Sequence, residues 1–210
     1  VATVPQDVIE KHRLVPVIVL QDAGHAEPLG RALVSGGLPI AEVTFRTDAA
    51  GESIRRMAEN PDLCVGAGTV LTTEQVDQAQ DAGASFIVSP GLNPKVVRHA
   101  LDKGIPVFPG VSNPSDIEMG LDLGLNTLKF FPAEAVGGVK LLKAVSAPYH
   151  HVRFIPTGGI SPANVKDYLQ LASVLACGGS WMVPQDRITQ SDFESVERLV
   201  AEAVTLATPN

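Results

Sequence analysis

The chain has 210 residues, 45% hydrophobic and 19% charged, with a formal net charge of -7 and a pI near 5.2. That size predicts one domain, residues 1–210, with a sizeable buried core, and the composition argues against disorder. No basic stripe is present, so neither nucleic acid nor an anionic membrane is expected as a partner.

An opening helix is predicted over 4–13. The continuous apolar run 14–20 then reads as a strand buried on both faces. Asp22 is placed to cap a helix that runs to Val34 and stops at Gly36-Gly37. A second strand covers 40–45, and a helix covers 49–59 before Asn60-Pro61. The phrase then repeats: strands at 63–68, 85–88 and 105–108, with helices at 73–82, 94–102 and 114–123 closed by Gly83, Gly104 and Gly124. A sixth strand lies in Asn126–Pro132 and is followed by a helix over 138–145. Strands at 152–155 and 173–177 carry helices at 162–171 and 192–206.

Eight strand–helix units with buried-strand character predict a parallel sheet, and eight in this length predict a closed (β/α)₈ TIM barrel with an N-terminal helix. An open doubly wound sheet is the rival, but Gln21-Asp22-Ala23-Gly24 after the first strand is no dinucleotide loop. Pro16, Pro106 and Pro156 are expected near strand ends, because proline cannot donate to a ladder. Cys64 and Cys177 sit in apolar runs without metal spacing and read as reduced core thiols of a cytoplasmic protein. No apolar run reaches membrane-spanning length, and no charged-then-apolar leader opens the chain.

The sixth strand holds the most informative residue. Lys129 lies between Leu128 and the pair Phe130-Phe131, although lysine is rarely buried without a partner. Apolar surroundings favour the neutral amine, which is a nucleophile towards carbonyls. Of seven lysines, only Lys129 falls inside an apolar strand, and Glu42 is the only carboxylate embedded in a predicted strand. Side chains alternate along strands, so Ile40, Glu42 and Thr44 share one face, and Thr127, Lys129 and Phe131 share another. An acid suits the barrel interior better than the helical shell, and even-numbered strands fill the same interior layers. Glu42 and Lys129 are therefore expected to approach each other. A purely structural ion pair is the competing reading, but such pairs are weak stabilisers when buried.

Barrel chemistry sits at the carboxyl ends of the strands. Those ends carry Arg46, a planar fork suited to a carboxylate or else a solvated loop residue, and Thr69 after Gly66-Ala67-Gly68. They also carry Ser89-Pro90-Gly91, Phe131, and the turns Thr157-Gly158-Gly159 and Gly178-Gly179-Ser180. The last two turns fall where barrels hold phosphate, and backbone N–H groups can cradle an anion there without a cation. The five histidines fall away from the strand ends and acids do not cluster, so no metal is expected.

The stretches Glu42-Val43-Thr44-Phe45-Arg46-Thr47, Val65-Gly66-Ala67-Gly68-Thr69-Val70, Lys129-Phe130-Phe131-Pro132-Ala133-Glu134, Pro156-Thr157-Gly158-Gly159-Ile160 and Gly178-Gly179-Ser180-Trp181, with Val15–Val19 and Ser89-Pro90-Gly91, resemble the 2-keto-3-deoxy-6-phosphogluconate (KDPG) aldolase family over most of the chain. The resemblance implies a class I aldolase without metal or cofactor, acting on a small keto acid and assembled as a homotrimer. It implies Lys129 as the Schiff-base lysine and Glu42 as the acid/base. Arg46 and Thr69 would bind the pyruvate carboxylate, and Phe131 and Pro90 would line the site. Thr157, Gly158, Gly159, Gly179 and Ser180 would hold the phosphate-bearing end. Alternatives are an aldolase for 4-hydroxy-2-oxoglutarate or the galactonate-series phosphate and, from another class, a phosphate-binding barrel isomerase or a non-catalytic sugar-phosphate binder.

Overall fold

A computed structural model describes residues 5–208; Val4, the expected start of the first helix, lies outside them. Eight parallel strands are formed: β1 (Leu14–Ile18), β2 (Ile40–Thr44), β3 (Cys64–Gly68), β4 (Phe86–Ser89), β5 (Val107–Val111), β6 (Thr127–Phe130), β7 (Arg153–Pro156) and β8 (Cys177–Gly179). Their order is β7-β6-β5-β4-β3-β2-β1-β8. Parallel bridges at Phe154–Val174 and Thr157–Gly178 join the two edges into a nearly closed barrel. The expected (β/α)₈ barrel with an N-terminal helix is what forms.

The helices are α1 (Pro5–His12), α2 (Ala26–Ser35), α3 (Ala50–Ala58), α4 (Thr73–Asp81), α5 (Pro94–Asp102), α6 (Pro114–Asp122), α7 (Ala133–Val136), α8 (Gly138–Ser146), α9 (Val165–Leu169), α10 (Gln185–Thr189) and α11 (Phe193–Ala207). Local chemistry sets their starts. Thr72, Asn93, Asn113 and Asp192 each accept a backbone N–H of the first turn, and Pro94 and Pro114 occupy the opening positions. Among the described residues no helix is long and apolar enough to cross a membrane.

Several details depart from the sequence reading. Asp22 caps a 3₁₀ turn, Ala23–His25, rather than α2 itself. β5 begins at Val107, not Ile105, because the Ile105 N–H bonds back to Ala100 at the end of α5 and Pro106 has no N–H. β8 begins at Cys177, not Ser173, because its ladder with β1 starts only where Leu14 meets Cys177. Pro16 is not at a strand end but at the third of five positions in β1, opposite Gly179. The short helices α7 and α10 were not anticipated; each is only about one turn long and carries little periodicity.

Register sorts interior from shell. Val17, Glu42, Gly66 and Phe86 lie side by side across β1–β4, and Gly110, Lys129 and Ile155 lie side by side across β5–β7. Ile9 of α1 closes the floor. Below the mouth, Ile9, Val15, Glu42, Phe86, Val88, Phe108, Lys129, Ile155 and Thr157 leave a void of only about 10 Å³. That is about one water at most, so a substrate reaches Lys129 from the mouth alone.

Candidate active site

Lys129 and Glu42 meet as the alternation requires. Lys129 Nζ lies 3.2 Å from Glu42 Oε1, and the two side chains are 7% and 3% exposed. Phe131 walls the same space, its ring centroid 5.3 Å from Nζ. Coulomb attraction is strong in such surroundings, and so is the desolvation penalty. The pair therefore adds little to folding while keeping an amine and a proton acceptor in contact.

Glycines make this possible. A methyl at Gly68 would lie 2.8 Å from Glu42 Cγ and overlap the carboxylate. A methyl at Gly66 would enter the Phe86 ring, and one at Gly178 would overlap the Thr157 hydroxyl. At Gly110 it would strike the Pro90 carbonyl oxygen, which leans over β5 beside Lys129. These interior glycines hollow the upper barrel where ordinary barrel interiors carry branched side chains.

Arg46 is exposed at the end of β2. Its Nε donates to Thr44 Oγ1 at 3.1 Å, and Thr44 donates to the Ile18 carbonyl at 2.8 Å. Thr44 thus ties the guanidinium to the barrel's inner face. The sequence offers Thr44 at this strand end without assigning it a role; the link to Arg46 supplies one. Thr69 has φ 55°, unusual for a β-branched residue, and sits between the Gly68 carbonyl held by Phe45 N–H and Val70 N–H held by the Val88 carbonyl. Backbone held in this region on both sides is the sort found at ligand clamps.

On the opposite rim, Thr157 is buried and Gly158 and Gly159 have φ of 99° and 80°. Only glycine takes such angles freely. Ala133 N–H donates to the Thr157 carbonyl at 2.8 Å and Glu134 N–H to the Gly158 carbonyl at 3.1 Å, so the turn is tied to the chain leaving β6. Gly179 packs against the Trp181 ring with no room for a side chain, and Ser180 stands exposed beside it.

Burial pushes the Cys64 thiol up to about 11 and the Cys177 thiol to about 12, which disfavours the thiolate at both; Cys177 lies in the core as expected, whereas Cys64 is only half-buried against it. Among the described residues, no three His, Cys, Asp or Glu side chains gather as a metal site.

A family model for KDPG and KHG aldolases matches residues 6–199. A KHG/KDPG aldolase of Escherichia coli (strain K12) is 48% identical over 203 residues, covering 96% of this chain and 95% of that protein. The 2-keto-3-deoxy-6-phosphogluconate aldolase of Zymomonas mobilis ZM4, solved with 3-phosphoglycerate, superposes with a TM-score of 0.92 at 43% identity and covers 98% of both chains. The KDPG aldolase of Legionella pneumophila, solved with pyruvate captured as a covalent carbinolamine, also superposes at 0.92, with 39% identity, covering 95% of this chain and 98% of that one.

A barrel with an amine and a carboxylate in contact beneath its mouth, and with such relatives, is a carbon–carbon lyase. More narrowly, the chain belongs to the KDPG and KHG aldolase family.

Proposed function

We propose that the chain, as one (β/α)₈ domain, cleaves 2-keto-3-deoxy-6-phosphogluconate reversibly to pyruvate and glyceraldehyde 3-phosphate through an imine on Lys129. One observation carries the reading: the buried 3.2 Å contact between Lys129 Nζ and Glu42 Oε1. Glu42 takes a proton from Lys129, and the free amine adds to the C2 ketone. The carbinolamine hydroxyl leaves as water with the proton that Glu42 returns, giving an iminium cation and a free Glu42 carboxylate. That cation receives the electron pair of the C3–C4 bond as it breaks. Glu42, directly or through a water, takes the C4 hydroxyl proton, and the aldehyde leaves. The enamine is reprotonated at C3 from the same group, and water hydrolyses the iminium to pyruvate and the Lys129 ammonium, which restores the starting pair with Glu42.

Arg46 and Thr69 orient the carboxylate, which removes much of the entropic cost of reaching the reactive pose. Phe131 and Pro90 flank the reacting carbons. Thr157, Gly158, Gly159, Gly179 and Ser180 receive the phosphate-bearing end through backbone N–H groups and hydroxyls. The family resemblance extends the proposal to a homotrimer in the cytoplasm.

Borohydride reduction in the presence of pyruvate is expected to add one covalent adduct, on the peptide that holds Lys129. An adduct on Lys140 or Lys143, both exposed on α8, would overturn the assignment.

The phosphate end has its own test. Ser180→Asp removes a donor and sets like charge against the phosphate. It is expected to cost the phosphorylated keto acid about 2 kcal/mol or more in kcat/KM, the worth of a hydrogen bond to a charged group. The unphosphorylated analogue should change little, and equal losses on both substrates would return Ser180 to a purely structural role.

A further inference from the structure

Behind the Gly158-Gly159 turn lies a second acid that the chemistry above does not use. The Glu134 stem presses on the turn from the β6 side: a methyl at Gly159 would come within 2.7 Å of Glu134 Cβ and Cγ. Its carboxylate accepts a hydrogen bond from the hydroxyl of Tyr168, a fully buried residue of α9. Gly138 leaves room for that bond, since a methyl there would lie 3.0 Å from Glu134 Oε1 and 3.3 Å from the tyrosine oxygen. Asn164 braces the turn from the other side, donating to the Gly159 carbonyl at 3.0 Å and accepting from Ser161 N–H at 2.8 Å.

A carboxylate so close to Gly159 poses an electrostatic problem. On the reading given above, the turn's N–H groups receive a substrate phosphate. A free carboxylate beside them would repel that phosphate and compete for the same donors. The buried tyrosine hydroxyl solves the problem by giving the carboxylate a fixed partner behind the turn. Burial, then the carboxylate itself, holds the Tyr168 hydroxyl above the usual phenol range, so it stays a donor.

We propose that Tyr168 is a positioning residue for substrate selection: it anchors the Glu134 carboxylate behind the Gly158-Gly159 turn, which keeps negative charge away from the phosphate of the substrate. This rests on the proposed function. The pair touches neither Lys129 nor Glu42 and governs binding of the distal end rather than bond cleavage.

Three variants test it with two substrates, the phosphorylated keto acid and its dephosphorylated form, whose distal end carries no charge. Tyr168→Phe keeps the buried ring and frees the carboxylate; KM for the phosphorylated substrate should rise about tenfold, the size of one lost charge-assisted bond. Its kcat, its KM for the unphosphorylated substrate and its pyruvate adduct on Lys129 should match the parent. Glu134→Asp keeps the charge on a stem too short to reach Tyr168, at an exposed position where folding is not at risk, and should show the same selective rise. Glu134→Gln combined with Tyr168→Phe removes the charge and should bring KM back to within about twofold of the parent. Equal changes on both substrates, no change in Glu134→Asp, or no recovery in the double variant would overturn the proposal. Failure of the parent to trap pyruvate on Lys129 would instead overturn the reading of function beneath it.

Discussion

Glu42→Gln is expected to lower kcat by about two to four powers of ten, the usual contribution of a general acid–base group. The amide fills the same space among Val17, Gly66 and Gly68, and its oxygen still reaches Lys129 Nζ, so the architecture around the amine persists. What disappears is the proton acceptor. Iminium formation with pyruvate should survive at a reduced rate, whereas exchange of the pyruvate C3 protons in deuterated water should collapse. Exchange at the parental rate would mean that Glu42 is not the base. The base would then have to be sought among waters held at the mouth.

Gly68→Ala is expected to cost about a hundredfold in kcat, the scale of a catalytic group displaced by about an ångström. Gly68 is the β3 partner of Thr44, and its Cα faces the Glu42 side chain. An added methyl overlaps the Glu42 carboxylate, which must swing away from Lys129 Nζ because the barrel below is filled. Gly51→Ala is the control. It sits on α3 with nothing within 4 Å of the added methyl, and activity should be unchanged. Helix propensity should make that variant slightly more stable, by about 0.5–1 kcal/mol. If Gly68→Ala keeps parental turnover, the contact between Glu42 and Lys129 does not set the rate.

Much of this was legible in order along the chain. The buried apolar runs, the helix caps and the glycine stops mark each strand–helix unit, because hydrophobic period and capping are local properties. Lys129 and Glu42 stand out for the same reason: each is a charged residue inside an apolar strand. Period two places both on one face of their strands, and the even-strand layering of a barrel brings those faces together, as the 3.2 Å contact bears out.

Other features were legible only after folding. The starts of β5 and β8 depend on which neighbour supplies the ladder, and Ile105 and Ser173 look as strand-like in sequence as the residues that pair. Nothing local to Gly66, Gly68, Gly110 and Gly178 tells that their work is to leave space for Phe86, Glu42, the Pro90 carbonyl and Thr157. The Thr44 link to Arg46 and the Tyr168 link to Glu134 join groups whose partners no local pattern names. By itself the sequence determined the barrel, the order of its units and the two strands that carry the lysine and the acid, since each follows from periodicity within a few residues. Only the tertiary structure decided how much room surrounds that pair and which side chains hold the rim in place, because volume and hydrogen-bond partnership are set by residues far apart in the chain.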